Sequence, residues 1–301
     1  MNSFFVPAER RLPLADPFVL FYDGLYYAYG TCHPEAGFTA FVSSDLLNWR
    51  KAEGRASGGR VLDKADSFGE DGFWAPEVYL VNGRFHIYYT ASQRVCVATA
   101  DHPLGPFRQS VREPLIADEY SIDNTLFIDD DGKPYMFFVR GYYGSNIWSV
   151  ELEPDCLHVS PETLRYHSRP WQEWETRDGL INEGPFVLKH DGRYYLTYSG
   201  NRQTSPDYGV GCAIAEHIGD IWRKCDSNPI LKRHDGLFAT GHHSFFRDRD
   251  GHLRVIFHAR MTTDPTSQRH AYIAFARFEE TPGQPSRLVI SPDFLIPRIE
   301  E

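Results

Sequence analysis

One pattern recurs five times along this chain: an apolar arm, a polar turn carrying glycine, and an aromatic or β-branched arm. It reads FVLFYDGLYYAYG (18–30), EVYLVNGRFHIYYTA (77–91), NTLFIDDDGKPYMFFV (124–139), PFVLKHDGRYYLTYSG (185–200) and SFFRDRDGHLRVIFHAR (244–260). β-formers on either side of such a turn are the sequence form of a hairpin. The turn glycines Gly24, Gly83, Gly132, Gly192 and Gly251 stand 59, 49, 60 and 59 residues apart, so the hairpins are units of one repeat. A second strand pair follows each hairpin, at 38–50, 94–109, 146–159, 209–224 and 270–280. Five units of four strands, with no helical period of useful length, predict an all-β chain. The expected form is a five-bladed β-propeller, one domain over 1–301, with residues from about 281 onward expected to close the ring or pack on its rim. A two-sheet sandwich would not require a repeat of this length.

In a propeller the first strand of each blade lines the central channel, so equivalent positions converge on one axis. Nine residues before the turn glycine stand Trp74, Asp123, Glu183 and His242, and eight before Gly24 stands Asp16. The expectation is a ring of three carboxylates, an imidazole and an indole at one mouth. Packing alone would not select that set. Taken singly, each has a plainer reading: Asp16 a turn acid before Pro17, Glu183 a loop acid before Gly184-Pro185, Asp123 a turn cap, Trp74 core packing, His242 a satisfied buried histidine.

Crowded carboxylates repel, and confinement raises at least one pKa. One protonated carboxyl and one ionised carboxylate with room for water make an apparatus for glycoside hydrolysis. Trp74 offers a flat apolar face for a sugar ring, and Phe38, Phe73, Tyr142, Tyr143, Trp171 and Trp174 add aromatic surface near the expected mouth. The formal net charge of -10 opposes nucleic acid and anionic membranes, which leaves a neutral oligosaccharide as the expected substrate. No run of apolar residues is long enough to span a bilayer. The five scattered cysteines never form CxxC, which fits a reducing compartment and argues against a thiolate zinc site. The opening MNSFFVPAERRLPLADP lacks a basic segment followed by an apolar core, so no signal peptide is expected and the location expected is cytoplasmic.

At these residues the chain resembles glycoside hydrolase family 43, five-bladed enzymes acting on arabinose- and xylose-containing glycans. The pieces that carry the resemblance are LADPFVLFYDGLYYAYGT, FWAPEVYLVNGRFHIYYTA, SIDNTLFIDDDGKPYMFF, NEGPFVLKHDGRYYLTYSG and GHHSFFRDRDG. The resemblance implies that Asp16 is the general base, Glu183 the general acid, and Asp123 the carboxylate that orients the acid and tunes its pKa. It implies a substrate contact for Arg260, and for His242 a place beneath the site where some members hold calcium, often through water; the chemistry itself requires no cofactor. Ile122-Asp123-Asn124 and Gly241-His242-His243 depart from the commoner I-D-P or I-D-A and G-H-N, which leaves the sugar open.

The implied activity is an inverting, exo-acting α-L-arabinofuranosidase, with a β-D-xylosidase as the close alternative. Retaining fructan hydrolases share the architecture but want Asn-Asp-Pro, Arg-Asp-Pro and Glu-Cys, where this chain has Ala15-Asp16-Pro17, Ile122-Asp123-Asn124 and Glu183-Gly184. A non-catalytic carbohydrate-binding propeller predicts loss of a key acid, and both are present. IDDDGK (128–133) lacks calcium-loop spacing and reads as a solvated turn. EGRASGG (53–59) follows no strand-turn-helix pattern and is not a phosphate cradle. His33, His86 and His258 show no reliable ligand spacing.

Overall fold

The computed structural model describes residues 6–141 and 143–300; Tyr142 and the first five residues of the opening segment lie outside them. Twenty-two strands and four short 3₁₀ turns follow one another along the described chain. Each hairpin of the repeat supplies the two inner strands of a blade. Blade 1 is Ala15–Tyr22, Leu25–Thr31, Phe41–Ser43 and Asn48–Lys51, and blade 2 is Trp74–Val81, Arg84–Ala91 and Arg94–Ala100. Blade 3 is Ser121–Ile128, Pro134–Gly141, Ser145–Leu152 and Val159–Ser168, and blade 4 is Asn182–His190, Arg193–Gly200, Gly209–Ala215 and Arg223–Lys224. Blade 5 is Phe238–Arg247, Leu253–Arg260, His270–Thr281 and Gln284–Leu295. The architecture is the expected five-bladed propeller, with two departures from four strands per blade. Blade 2 has three strands, and Arg298–Ile299 joins the outer edge of blade 1 in parallel with Asn48–Lys51. The C-terminal segment therefore completes blade 5 and then laps onto blade 1.

Aromatic residues of neighbouring blades pack across the gaps between sheets. Phe18 meets Tyr79 at 5.1 Å between centroids, Phe127 meets Tyr194 at 5.9 Å, and Phe186 meets Phe245 at 5.7 Å. Such pairs add to area burial and set the spacing of the blades.

The turns decide how the repeat must be counted. All five turn glycines are left-handed, with φ between 70° and 84°. In blades 1, 2 and 4 the preceding Asp23, Asn82 and Asp191 are left-handed too, which makes two-residue turns of the primed type. In blades 3 and 5 the turn is longer: Gly132 N donates to Asp129 O and Gly251 N to Asp248 O before the chain returns. The innermost strand of every blade breaks register between Ala15 and Phe18, Trp74 and Glu77, Ile122 and Thr125, Glu183 and Phe186, and Gly241 and Ser244. The first residue inside each bulge is left-handed: Asp16 (φ 49°), Ala75 (46°), Asp123 (52°), Gly184 (53°) and His242 (43°). These five are the true equivalents, eight residues before the turn glycine where the turn is short and nine where it is long. Trp74 and Glu183 stand one position earlier. The expectation of five equivalent residues is corrected on this point, and turn length is the reason.

Candidate active site

The bulges turn Asp16, Asp123 and His242 towards one another. Asp16 Oδ2 accepts from Thr31 Oγ1 at 2.6 Å, while Oδ1 lies 2.8 Å from Arg269 Nη1 and 3.3 Å from His242 Nδ1. Burial by itself would push the Asp16 carboxyl up, but Arg269 and then His242 outweigh it and hold the group well below the usual carboxylate range. His258, fully buried, places Nδ1 3.1 Å from the Asp16 backbone N–H and 3.3 Å from Oδ1. One ring nitrogen cannot accept from the first and donate to the second. Burial takes the His258 pKa down to about 3, so the ring is neutral and Nδ1 is assigned as the acceptor.

His242 bridges to the second acid, with Nδ1 4.0 Å from Asp123 Oδ2. That oxygen also accepts from the Gly184 backbone N–H at 3.1 Å, and Asp123 N donates to Thr90 Oγ1 at 3.1 Å. Burial raises the Asp123 pKa; His242 pulls it back and the charge of Asp16 adds to the rise. A Cβ at Gly184 would stand 3.2 Å from the His242 ring, so a larger residue after Glu183 would press on that ring where it sits between the two acids.

Glu183, partly exposed, accepts a hydrogen bond at Oε1 from Tyr208 Oη at 2.8 Å. Burial, followed by the charge of Asp123, raises its pKa to about 7. Tyr208 is fully buried, and its ring lies where a Cβ on Gly241 would come within 2.3 Å. A fourth carboxyl, Glu77, sits at the far side of the blade 2 bulge. It accepts from Tyr79 Oη at 2.5 Å, and burial drives its pKa to about 8.

The structure thus brings together Asp16, Asp123, Glu183 and His242. Trp74, one position above its bulge, is partly exposed on a cavity of about 310 Å³ shared with Pro34, Asp71 and Gln93. Three expected substrate contacts are corrected. Phe38 and Phe73 are fully buried and pack with Tyr89 at 5.6 and 6.0 Å, because an aromatic ring without a polar handle has more apolar surface to lose in the core than at the mouth. Arg260 is buried and gives its hydrogen bonds to Ser267 O and Gln203 Oε1, so it braces the loop that carries Arg269 rather than meeting the acids. Trp174 packs on Tyr198 at 6.2 Å, whereas Trp171 and Tyr143 are exposed.

Calcium prefers six to eight oxygen ligands. His242 offers one imidazole, whose Nδ1 is turned to two carboxylates, so the side chains here do not make a calcium cage and no step below runs through a metal. Among the described residues, the group of three potential metal ligands near enough to share an ion is Asp248, Asp250 and His252, in the blade 5 hairpin turn at the other end of the inner strand.

The pocket therefore pairs an ionised carboxylate, Asp16, with a carboxyl that holds its proton near neutrality, Glu183, and places a third acid beside them. That division suits acid–base cleavage of a glycosidic bond. Comparison with known proteins gives the same direction. Residues 11–281 match the family model for glycosyl hydrolases family 43. A solved structure named as an endo-1,4-β-xylanase of Bacteroides thetaiotaomicron is 40% identical, with a TM-score of 0.89 over 97% of this chain and 98% of that one. A thermostable family-43 glycoside hydrolase is 32% identical, with a TM-score of 0.82 over 93% of each chain. An extracellular exo-α-(1→5)-L-arabinofuranosidase of Streptomyces avermitilis is 25% identical over 289 residues, which cover 85% of this chain and 56% of that protein. The chain thus spans little more than half the length of that relative. Among the described residues no helix is long and apolar enough to cross a membrane.

Proposed function

The chain belongs to glycosyl hydrolase family 43, a family of glycosidases, and on that premise we propose that it removes terminal pentose residues from neutral oligosaccharides with inversion at the anomeric carbon. The observation that carries the reading is the opposite displacement of two carboxyls in one pocket: Asp16 is held well below the carboxylate range and Glu183 is raised to about 7.

The roles follow from those states. Glu183 gives its proton to the glycosidic oxygen as the bond from the anomeric carbon to that oxygen breaks. A water on the opposite face of the sugar forms the new bond and passes its proton to Asp16. The attacking water gains positive charge as it bonds to the electron-poor carbon, so even a carboxylate of low basicity can take its proton. Asp123 keeps Glu183 protonated through its charge and fixes Gly184, the residue after the acid. Arg269 and His242 hold Asp16 ionised and aimed. Trp74 supplies an apolar face at the edge of the pocket. No cofactor enters these steps.

The sugar favoured is α-L-arabinofuranose, the unit named for the Streptomyces relative. β-D-xylose is the second reading, favoured by the name of the 40%-identical Bacteroides neighbour. All five cysteines are unpaired, which supports work in a reducing compartment such as the cytoplasm. Proton NMR of the first-formed sugar tests the mechanism: the anomer should be opposite to the substrate's. Retention would make Asp16 a nucleophile and overturn the assignment of its role.

A further inference from the structure

Exposed apolar side chains gather on the rim between blades 3 and 4. Tyr120, Tyr143 and Leu180 are 38%, 88% and 55% exposed. Backbone contacts make them one surface. Gly141 N donates to Tyr120 O at 3.1 Å, and a Cβ on Gly141 would stand 2.1 Å from the Tyr120 ring, so that ring lies against the end of the strand. The turn that follows carries Tyr143. It is tied on its other side to Leu180, since Ser145 N donates to Leu180 O at 2.9 Å and a Cβ on Gly144 would stand 2.6 Å from the same oxygen. Tyr120 is three residues before Asp123, and Leu180 three residues before Glu183. The patch is therefore continuous with the strands that deliver two of the acids.

The backbone adds a second observation. Tyr120 (φ 55°) and Tyr143 (φ 51°) are both left-handed. That conformation is sterically unfavourable for a bulky L-residue and costs glycine almost nothing. Tyr143, largely exposed, and Tyr120, whose ring rests on Gly141 and stays partly exposed, thus both sit on strained backbone in the segments next to the strands that carry Asp123 and Glu183. An ion pair, Arg140 with Asp118 at 3.1 Å, borders the patch and offers donors and acceptors next to the apolar faces.

We infer that Tyr120, Tyr143 and Leu180 form a platform for the part of a neutral carbohydrate chain that lies beyond the bond being cut. Sugar rings present flat CH faces to aromatic side chains and hydroxyls to flanking polar groups, which matches this surface. A protein partner wants about 800 Å² per side, far more than three side chains provide. The inference rests on the glycosidase reading above and extends it: the enzyme takes oligosaccharides in preference to small glycosides.

The test is steady-state kinetics of the full chain on arabinohexaose and xylohexaose and on the matching aryl pentosides. Tyr143→Ser should lower kcat/KM about tenfold on whichever hexasaccharide the wild type cleaves, mainly through KM, the factor expected for one lost stacking contact. Aryl pentoside kinetics should stay within about twofold of wild type, and Tyr143→Phe should keep full hexasaccharide activity. The platform is overturned by an equal loss on both substrates, or by no loss even in the Tyr143→Ser/Leu180→Ser double variant. Wild-type activity confined to aryl pentosides also overturns it. A wild type inactive on every pentoside sinks the glycosidase reading itself, and the platform with it.

Discussion

The proton on Glu183 should set the alkaline edge of activity. Burial, with the Asp123 charge behind it, raises this pKa from the ordinary glutamate value of 4.5 to about 7. The protonated form is the one that works, so activity is lost as pH rises through about 7. One pH unit above the pKa leaves about a tenth of the molecules protonated, and two units leave about a hundredth. For a glycoside with an alkoxide leaving group, kcat/KM should therefore fall about fivefold between pH 7, where half the molecules hold the proton, and pH 8, and about tenfold again by pH 9. At the acid end, Asp16 lies well below the ordinary aspartate value of 3.8, so the profile should stay flat down to about pH 4. Glu183→Ala removes the acid. On disaccharides it should lower kcat by about 10²–10⁴, the range of a general acid. On activated aryl glycosides, whose leaving groups need no proton, the loss should be small and the alkaline edge should disappear. The assay is kcat/KM against pH for both substrate types in both proteins. If Glu183→Ala keeps an alkaline edge at the same pH, another group owns it and the reasoning fails.

Three other perturbations test the surroundings. Arg269→Met removes the cation 2.8 Å from Asp16, so the acid-side edge of kcat/KM should move to higher pH; an unmoved edge would leave Arg269 without a role in holding the charge. Glu77, raised from 4.5 to about 8, binds its proton more tightly in the fold than in the unfolded chain. Stability should therefore decline as pH rises from about 4.5 to 8, by at most about 5 kcal/mol from this group. Glu77→Gln should flatten that part of the wild-type slope in urea melts, and an identical slope would refute it. Exhaustive chelation should leave kcat unchanged, because no step uses a metal; a fall in kcat on chelation would refute this. A drop in Tm alone would point to a structural ion, for which Asp248, Asp250 and His252 are the grouped ligands.

The repeat was legible because hairpin chemistry is local: Asp-Gly and Asn-Gly turns, β-branched arms and regular spacing are all written in adjacent residues. The acids were legible for the same reason, since they lie on the first strand of each repeat. What escaped the sequence arrives from other strands. His258 comes from the second strand of blade 5, Tyr208 from just before the third strand of blade 4, and Arg269 from the loop before the third strand of blade 5. None has a counterpart in the other blades, so counting along the repeat could not find them. Arg260 was the wrong arginine, though close in function: it braces the loop through Ser267, and that loop delivers Arg269 to Asp16. Phe38 and Phe73 show the limit of composition, because an aromatic residue near a mouth in sequence is as well suited to the core beneath it.

The one-residue offset between Glu183 and the bulge residues has a chemical consequence. Side chains alternate along a strand, so neighbours on a regular strand point to opposite faces. A left-handed residue inside a bulge breaks that alternation and re-aims its side chain. Asp16, Asp123 and His242 use the re-aimed position, and the two acids are only 8% and 6% exposed. Glu183 instead pairs with Ser199 in regular register, one step towards the strand's start, and keeps part of its surface open. Blade 4 gives its bulge position to Gly184, which makes room for the His242 ring and donates its N–H to Asp123. The offset thus separates two environments along one short stretch of channel. The deeper one surrounds Asp16 with Arg269, His242 and Thr31 and keeps it ionised. The other keeps Glu183 protonated through burial and then the charge of Asp123, against the hydrogen bond from Tyr208, which favours the ionised form. The proposed mechanism gives the acid the more exposed position and the base the more buried one, and the one-residue offset between Glu183 and Asp16 supplies that difference.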